Sequence, residues 1–421
     1  MHGRAEATTI DPPALRFDLR SQTFKQDPFP TLALMREAGP VVRARLSPFG
    51  AVWLATSYAA VSDLLCDHHR FVQSPETAGS WMGSILRLMP RTLQPFTSNI
   101  LLRDEPDHRR LRRLVERAFR GRTVDALRPR LEALADEAAD GLARQASRAP
   151  NGVDLLAHFA RPFPLGVICE LLGLPPEDRA RFTRWAARFS TSSVLRGIVL
   201  GLGGVGKTMR YLRDEIARQA VRPRDGLLAA LIEAEETGDR LTEDEVVAMA
   251  LLLLAAGHET ILHQIAGSVL LLLDHPEQRR ELTADWTLAD GAVEELLRHF
   301  SYTQFSRPRF ASEDVTFRGR SIRRGRMILA CLAAANSDPA VFDDPGRLNF
   351  HRPPHRHLAL GDGIHFCLGA ALARAELEIA LRRLFTRHPH LRLAVPRSRV
   401  RFSERPGTRG LVSLPVQLSD R

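Results

Sequence analysis

One helical pattern limits how this chain can fold more than any other feature. Thr242-Glu243-Asp244-Glu245 is a capping box, in which the threonine hydroxyl and the glutamate three residues later each satisfy an amide left free at a helix start. A mostly apolar stretch follows and runs to Leu273, where Asp274-His275-Pro276 stops it. At 1.5 Å per residue such a helix spans roughly 48 Å, enough to cross an entire domain. Helical periodicity also dominates from Asp107 to about Ala234, over Ala292–His299, and from about Leu368 to His388. Strand-like pieces are short: Val41–Leu46, Ala51–Ala55, Arg309–Phe317 and Met327–Ala333. The pattern predicts one mainly α domain with a small β region over residues 16–421, preceded by a flexible N-terminal arm at residues 1–15.

Several function classes drop out on composition. No apolar stretch follows Met1, and the longest uninterrupted apolar run, Val246–Gly257, is shorter than the ~20 residues of a bilayer crossing. No membrane association, a cytoplasmic location and a monomeric state are therefore expected. The four cysteines (Cys66, Cys169, Cys331, Cys367) show no C-x-x-C spacing, which argues against a disulfide framework and a structural zinc site. A net charge of +10 invites a nucleic-acid partner, yet no zinc-finger, basic-zipper or aromatic RNA-binding signature accompanies it. An arginine-rich composition bias explains the charge equally, since only two of the 59 cationic residues, Lys25 and Lys207, are lysine. No nucleic acid is expected.

Residues 201–208, GLGGVGKT, match the phosphate-loop pattern G-x-x-x-x-G-K-[ST] in full. Val194–Leu200 has strand character and Thr208–Ala220 reads as helix. No alternating β-α pattern surrounds the match, however, and the apolar run ending in an aspartate, Leu270–Asp274, is the tail of the long helix. The octapeptide is expected to be a flexible connection between two helices, with Lys207 starting the second.

Chemistry is carried instead by residues 358–374, LALGDGIHFCLGAALAR. Gly361 and Gly363 loosen the backbone, and Cys367 stands just before a helix start, where orphan amides and the helix dipole favour an anion such as a thiolate. Gly369 leaves room for a flat group, His365 can donate to a carboxylate, and apolar flanks keep water from the sulfur. Taken alone, the segment also suits a buried structural cysteine in a glycine turn. Three further motifs stand in order with it: Ala256-Gly257-His258-Glu259-Thr260 on the long helix, Glu295-Leu296-Leu297-Arg298, and Ala334–Pro339, AANSDP. Thr260 can bond the carbonyl four residues back. Glu295 and Arg298 are helix neighbours, a spacing that an exposed ion pair would equally use. In Asp107–Arg112, His108 and Arg112 lie about 40° apart on one helix face, with Arg110, Arg113 and Arg117 on another side.

Together these residues resemble the cytochrome P450 superfamily, whose cysteine loop reads F-x-x-G-x-H/R-x-C-x-G. The resemblance covers nearly the whole chain, including residues 154–182. Leu360 stands where the family usually has phenylalanine, and Ser337 where it usually has arginine. The resemblance implies a triangular helical prism with haem b between the long helix and the cysteine-loop helix. It implies Cys367 as iron ligand, Gly369 beside the haem, and His108, Arg112, Arg309 and His365 on the haem propionates. Dioxygen would lie at Gly257, with Thr260 and Glu259 handling protons; His258 has no implied role and is expected to face solvent or the pocket. Glu295 and Arg298 would be buried and would lock Arg352 or a neighbour. The implied activity is a haem-thiolate monooxygenase of secondary metabolism acting on a hydrophobic small molecule such as a terpenoid, fatty acid, steroid or polyketide. Its pocket would be lined by the 75–98 loop, Leu253–Ala256, Thr303–Phe305 and Thr408–Ser413. Electrons would come from a separate ferredoxin or flavodoxin with its NAD(P)H reductase, docking on the face around Arg110, Arg113 and Arg117. A peroxide-driven or non-oxygenase haem-thiolate enzyme of the same fold is the alternative, against which Glu259-Thr260 speaks.

Overall fold

The computed structural model describes residues 12–46, 50–80, 83, 99–119, 124–149, 151–178, 194–236 and 238–418. In it the capping box closes on both sides. The Glu245 amide donates to Thr242 Oγ1 at 3.3 Å, and the Thr242 amide donates to Glu245 Oε2 at 2.8 Å. In chain order the helices that frame the site are α1 (Tyr58–Cys66), α2 (Asp107–Phe119), α3 (Val124–Ala146), α4 (Pro162–Leu172), α5 (Val194–Val221), α6 (Leu227–Glu233), α7 (Glu243–Asp274), α8 (Ala289–Phe300) and α9 (Ala370–Arg387).

The capped helix α7 is the axis of the molecule, packed by α4, α5, α8 and α9. It alone among the described residues is long and apolar enough to cross a membrane by length and composition, but most of its apolar window is buried inside the protein. Glycine sets one of its close approaches. A Cβ at Gly267 would fall 2.1 Å from the Phe300 ring, so only glycine lets α8 lie against α7 at that point. The α3, α7, α8 and α9 faces share one core, in which Leu262, Ile265, Leu296, Leu377 and Leu384 are fully buried.

A sheet stands beside the helices. Its strands are β1 (Leu15–Arg16), β2 (Val41–Leu46), β3 (Gly50–Ala55), β4 (Phe71–Val72), β5 (Arg309–Ala311) and β6 (Met327–Ala330), in the order β1-β2-β3-β6-β5-β4. The expected strand at 309–317 is broken into β5 and a separate strand, Val315–Phe317, and the last residues of 327–333 turn into a short helix at Leu332–Ala335. The end of the expected N-terminal arm is held in the sheet: Leu15 and Arg16 pair with Ala44 and Arg45. Residues 1–11 lie outside the described residues, as do Trp81, Met82, Ile85, Leu86, Met89 and Phe96 of the apolar loop.

The phosphate-loop match requires a correction. Residues 194–221 form one continuous helix, so GLGGVGKT is neither a loop nor a connection, and Lys207 does not start a helix. The helix runs through the glycines despite their weak helix propensity. A helix interior commits its amides to carbonyls four residues back, so they cannot converge on a phosphate.

Candidate functional site

The cysteine loop is shaped by two glycines. Gly361 and Gly363 have φ of +78° and +66°, and a Cβ at Gly363 would lie 2.4 Å from the Leu65 carbonyl oxygen of α1. No other residue fits that turn. The loop then folds back, with the Cys367 amide donating to the Leu360 carbonyl at 3.0 Å and the Phe366 amide to Gly363 at 3.1 Å. Leu360, in place of the family's aromatic residue, packs against the main core. Cys367 ends up two residues before Gly369, the cap of α9. Burial pushes its thiol pKa up, while the Gly369 amide bonded to the sulfur and the charges of Arg112 and Arg374 pull it down.

Cys367 and Thr260 line one cavity of about 180 Å³, between α7 and the cysteine loop with the start of α9. Its other walls are mainly apolar, from Ile100, Ile168, Leu253, Ala256 and Leu368. The Thr260 hydroxyl donates to the Ala256 carbonyl at 2.7 Å, the back-bond expected of a polar residue inside an apolar helix. A Cβ at Gly257 would come 3.1 Å from Ile168 of α4, so this glycine brings α4 up to the cavity. At Gly369 a Cβ would meet nothing within 4 Å, which leaves open space beside the sulfur.

His108, Arg112 and His365 line the cavity, and the charge of Arg309 reaches His365. His108 is buried on α2, and neither ring nitrogen has a hydrogen-bond partner; Glu105 stands 3.8 Å from Nδ1. Its ring meets His365 edge-on, centroids 4.3 Å apart. Arg309 is buried on β5, donating to the Phe71 and Leu65 carbonyls at 3.2 and 3.0 Å and leaving Nε unpartnered. Arg112 donates to the Phe366 carbonyl at 2.9 Å and pairs with Glu116. Burial, with the charges of His108, Arg309, Arg112 and Arg307 beside it, pushes the His365 pKa down to about 3. Unpaired buried donors of this kind are costly unless an acceptor binds there.

Behind the loop stands a satisfied network. The Arg298 guanidinium donates twice to the Glu295 carboxylate, both at 2.7 Å, and to the carbonyls of Asn336 and Pro345. Arg352 joins the same carboxylate through Nε at 3.2 and 3.3 Å, as expected. Asn336 of AANSDP extends the network, its side-chain oxygen accepting the Leu358 amide at 2.7 Å at the start of the cysteine loop. Ser337 is buried, and Arg36 from a distant helix donates to its hydroxyl at 2.8 Å.

Other residues fall elsewhere than expected. Glu259 pairs with Arg405 and does not line the cavity with Thr260. His258 is buried rather than facing solvent, its Nε2 unpartnered, and burial with the charge of Arg161 holds its pKa near 4. Arg110 is not part of an open arginine face, because Asp239 and Glu245 pair with it and tie α2 to the start of α7. Arg113 and Arg117 are exposed. Thr303, Phe305 and Thr408 line a second cavity together with Arg405. Glu376 is a site residue that sequence reasoning missed. It is buried on α9, lines the first cavity, and has one oxygen unpartnered; burial pushes its pKa well above the ordinary carboxylate value. The available signal was its place one helical turn from Leu372, Ala373, Ile379 and Ala380, on the apolar side of α9.

The arrangement suits a haem. A single thiol faces the cavity, and among the described residues no group of three or more histidine, cysteine or acidic side chains is placed to hold a metal. An iron held at Cys367 would therefore need a group that brings its own further ligands, as a haem does. The open space at Gly369 admits a flat group, and the unpartnered nitrogens of His108 and Arg309 match carboxylates at its rim.

Comparison with known proteins agrees. The family model for Cytochrome P450 matches residues 207–392. The chain is 40% identical over 409 residues to the Vitamin D(3) 25-hydroxylase of Pseudonocardia autotrophica, covering 96% of this chain and 97% of that protein. It is 42% identical over 387 residues to the Mycinamicin IV hydroxylase/epoxidase of Micromonospora griseorubida, covering 91% and 93%. Among solved structures, the Bacillus subtilis bacillaene polyketide synthase cytochrome P450 PksS superposes with a TM-score of 0.86 at 35% identity, covering 96% of this chain and all of that one. The myxobacterial cytochrome P450 CYP267B1 in complex with myristic acid also gives 0.86, at 37% identity, covering 96% and 99%.

Proposed function

The chain belongs to the cytochrome P450 family, and from that premise we propose that it inserts one oxygen atom of O2 into an apolar or amphipathic small molecule, with electrons from a separate ferredoxin-type partner. Overall, RH, O2, two electrons and two protons give ROH and water. Support comes above all from Cys367 and Thr260 lining a single apolar cavity that also carries Arg112, His365 and His108, whose ring nitrogens have no partner.

When bound, haem supplies the iron at which O2 is activated. The protein's part is to hold, orient and move protons. Cys367 presents its sulfur from a loop braced by Asn336 and the Glu295–Arg298–Arg352 network, with the Gly369 amide favouring the anion. His108, Arg112, Arg309 and His365 hold the propionates and so fix the plane of the cofactor. Thr260 carries a movable proton on Oγ1; turning from the Ala256 carbonyl, it donates into the cavity. Glu259, adjacent in sequence and tethered by Arg405, replaces that proton from outside. Apolar walls exclude water, so charge is handled only at these groups.

The relatives named for vitamin D(3) and mycinamicin IV, and the neighbour holding myristic acid, support a large apolar or amphipathic substrate. The exposed Arg113 and Arg117 on α2 are the docking positions for an acidic ferredoxin or flavodoxin served by an NAD(P)H reductase. Turnover in isotopically labelled O2 tests the reading: product must carry one labelled oxygen with ferredoxin and reductase present. Turnover supported by peroxide but not by the reductase chain would replace it with the peroxide-driven alternative.

A further inference from the structure

The second cavity, about 810 Å³, has a wall unlike the first. Five arginines line it, Arg16, Arg20, Arg45, Arg307 and Arg405, against one acid, Asp18. The nearby carboxylates are already engaged. Asp18 Oδ1 accepts the backbone amides of Arg20 and Ser21 at 3.3 and 3.2 Å. Glu404 stands 3.8 Å from Arg20, and Glu259 pairs with Arg405. Among the described residues no ion pair reaches Arg16, Arg45 or Arg307.

Two of these three are placed against each other. In the parallel pairing of β1 with β2, Arg16 is the direct partner of Arg45, and like charges so placed repel. Arg307, solvent-exposed like Arg16 and Arg45, lines the same space. Uncompensated positive charge on a concave wall forms a well for an anion. Phe17, Leu19, Phe305 and Leu329 line the same space, so the cavity offers cations beside an apolar surface. The two linings share no described residue, but Arg405 of the second pairs with Glu259, the chain neighbour of Thr260, and the Arg307 charge acts on His365 of the first.

Resting on the oxygenase reading above, we propose that the substrate is an amphipathic acid, its carboxylate held by Arg16, Arg45 and Arg307 and its apolar body extending toward Thr260. A cationic head group would be repelled. Charge-assisted bonds to guanidinium give the acid form its advantage.

The test titrates haem-loaded protein with myristic acid, methyl myristate and myristyl trimethylammonium, following the Soret shift that accompanies loss of the iron's water ligand. The acid is expected to bind about tenfold or more tightly than the ester, and the ammonium most weakly. In Arg45→Gln and Arg307→Gln the acid-to-ester ratio should fall toward one. The ratio within each variant is internally controlled, since partial loss of fold weakens both ligands alike. An ester that binds as well as the acid, absence of binding by the acid, or a ratio unchanged in both variants overturns the proposal. The carbon monoxide spectrum of the same samples separates the two claims. Without a thiolate band the oxygenase reading falls and this proposal with it; with the band present and no preference for the acid, only this proposal falls.

Discussion

Two groups of buried basic side chains flank the cysteine loop, and their hydrogen bonds are met in opposite ways. In the first, Arg298 directs Nε and one terminal nitrogen at Glu295 and the other at two backbone carbonyls, while Arg352 bonds Glu295 and the carbonyls of Asp343, Asp344 and Arg347. In the second, both nitrogens of His108 and the Nε of Arg309 bond nothing. Burial is similar, at 3% exposure for Arg298, 2% for His108 and 1% for Arg309. The difference teaches what each group is for. Where the fold supplies the counter-charge, the cation holds the scaffold. Where it does not, the basic group is open to an acid carried by a ligand, the place that the proposed reading gives to the cofactor's propionates.

The comparison can be broken most forcefully at Glu295. Glu295→Ala leaves Arg298 buried without its carboxylate and should cost about 3–5 kcal/mol of stability, read from urea unfolding. Haem should be lost with it, and wild-type stability in that variant would refute the scaffold role. His258 is a third case, buried and unpartnered but outside the cavity lining. An unfolded chain takes up a proton there near pH 6.5 that the native fold refuses until about 4, so stability falls as pH drops through that window. Replacing His258 with Gln should flatten that fall by about 1–3 kcal/mol in unfolding midpoints measured between pH 7 and 4.

At His108 the expected effect is smaller and of another kind. His108→Phe removes unsatisfied nitrogens, so the haem-free protein should unfold at nearly the wild-type urea concentration. Haem transfer to apomyoglobin should quicken about tenfold, the loss of one charge-assisted bond. A loss as large as that for Glu295→Ala, with haem retained, would erase the distinction between the two groups. Weaker still, Arg113→Glu should slow ferredoxin reduction several-fold at low salt and little at high salt, as stopped-flow rates would show. Lys207→Ala should change stability by no more than about 0.5 kcal/mol, and calorimetry should detect no ATP binding to either protein.

Much of this was legible in the sequence because it rests on short-range chemistry. The capping box needs only four residues, the Gly361 and Gly363 turn is announced by glycine, and Glu295 with Arg298 are one helical turn apart. The misreadings arose where distant partners decide. Arg110 looked solvent-facing from its helix phase, yet its acids lie more than a hundred residues away in sequence. The octapeptide follows a loop pattern, but it lies inside a continuous helix. His258 has the spacing of an open position and is covered by neighbours that no local pattern reveals. Glu376 could have been found with the argument applied to Thr260, that a polar group on an apolar helix face needs a reason.

The central claim is that the Cys367 sulfur binds haem iron as a thiolate. Carbon monoxide added to the reduced, haem-loaded protein tests it in one spectrum. The account expects a Soret band displaced strongly to the red, and loss of that displacement in Cys367→Ser. An undisplaced band in the wild type, or a displaced one that survives in Cys367→Ser, would contradict it.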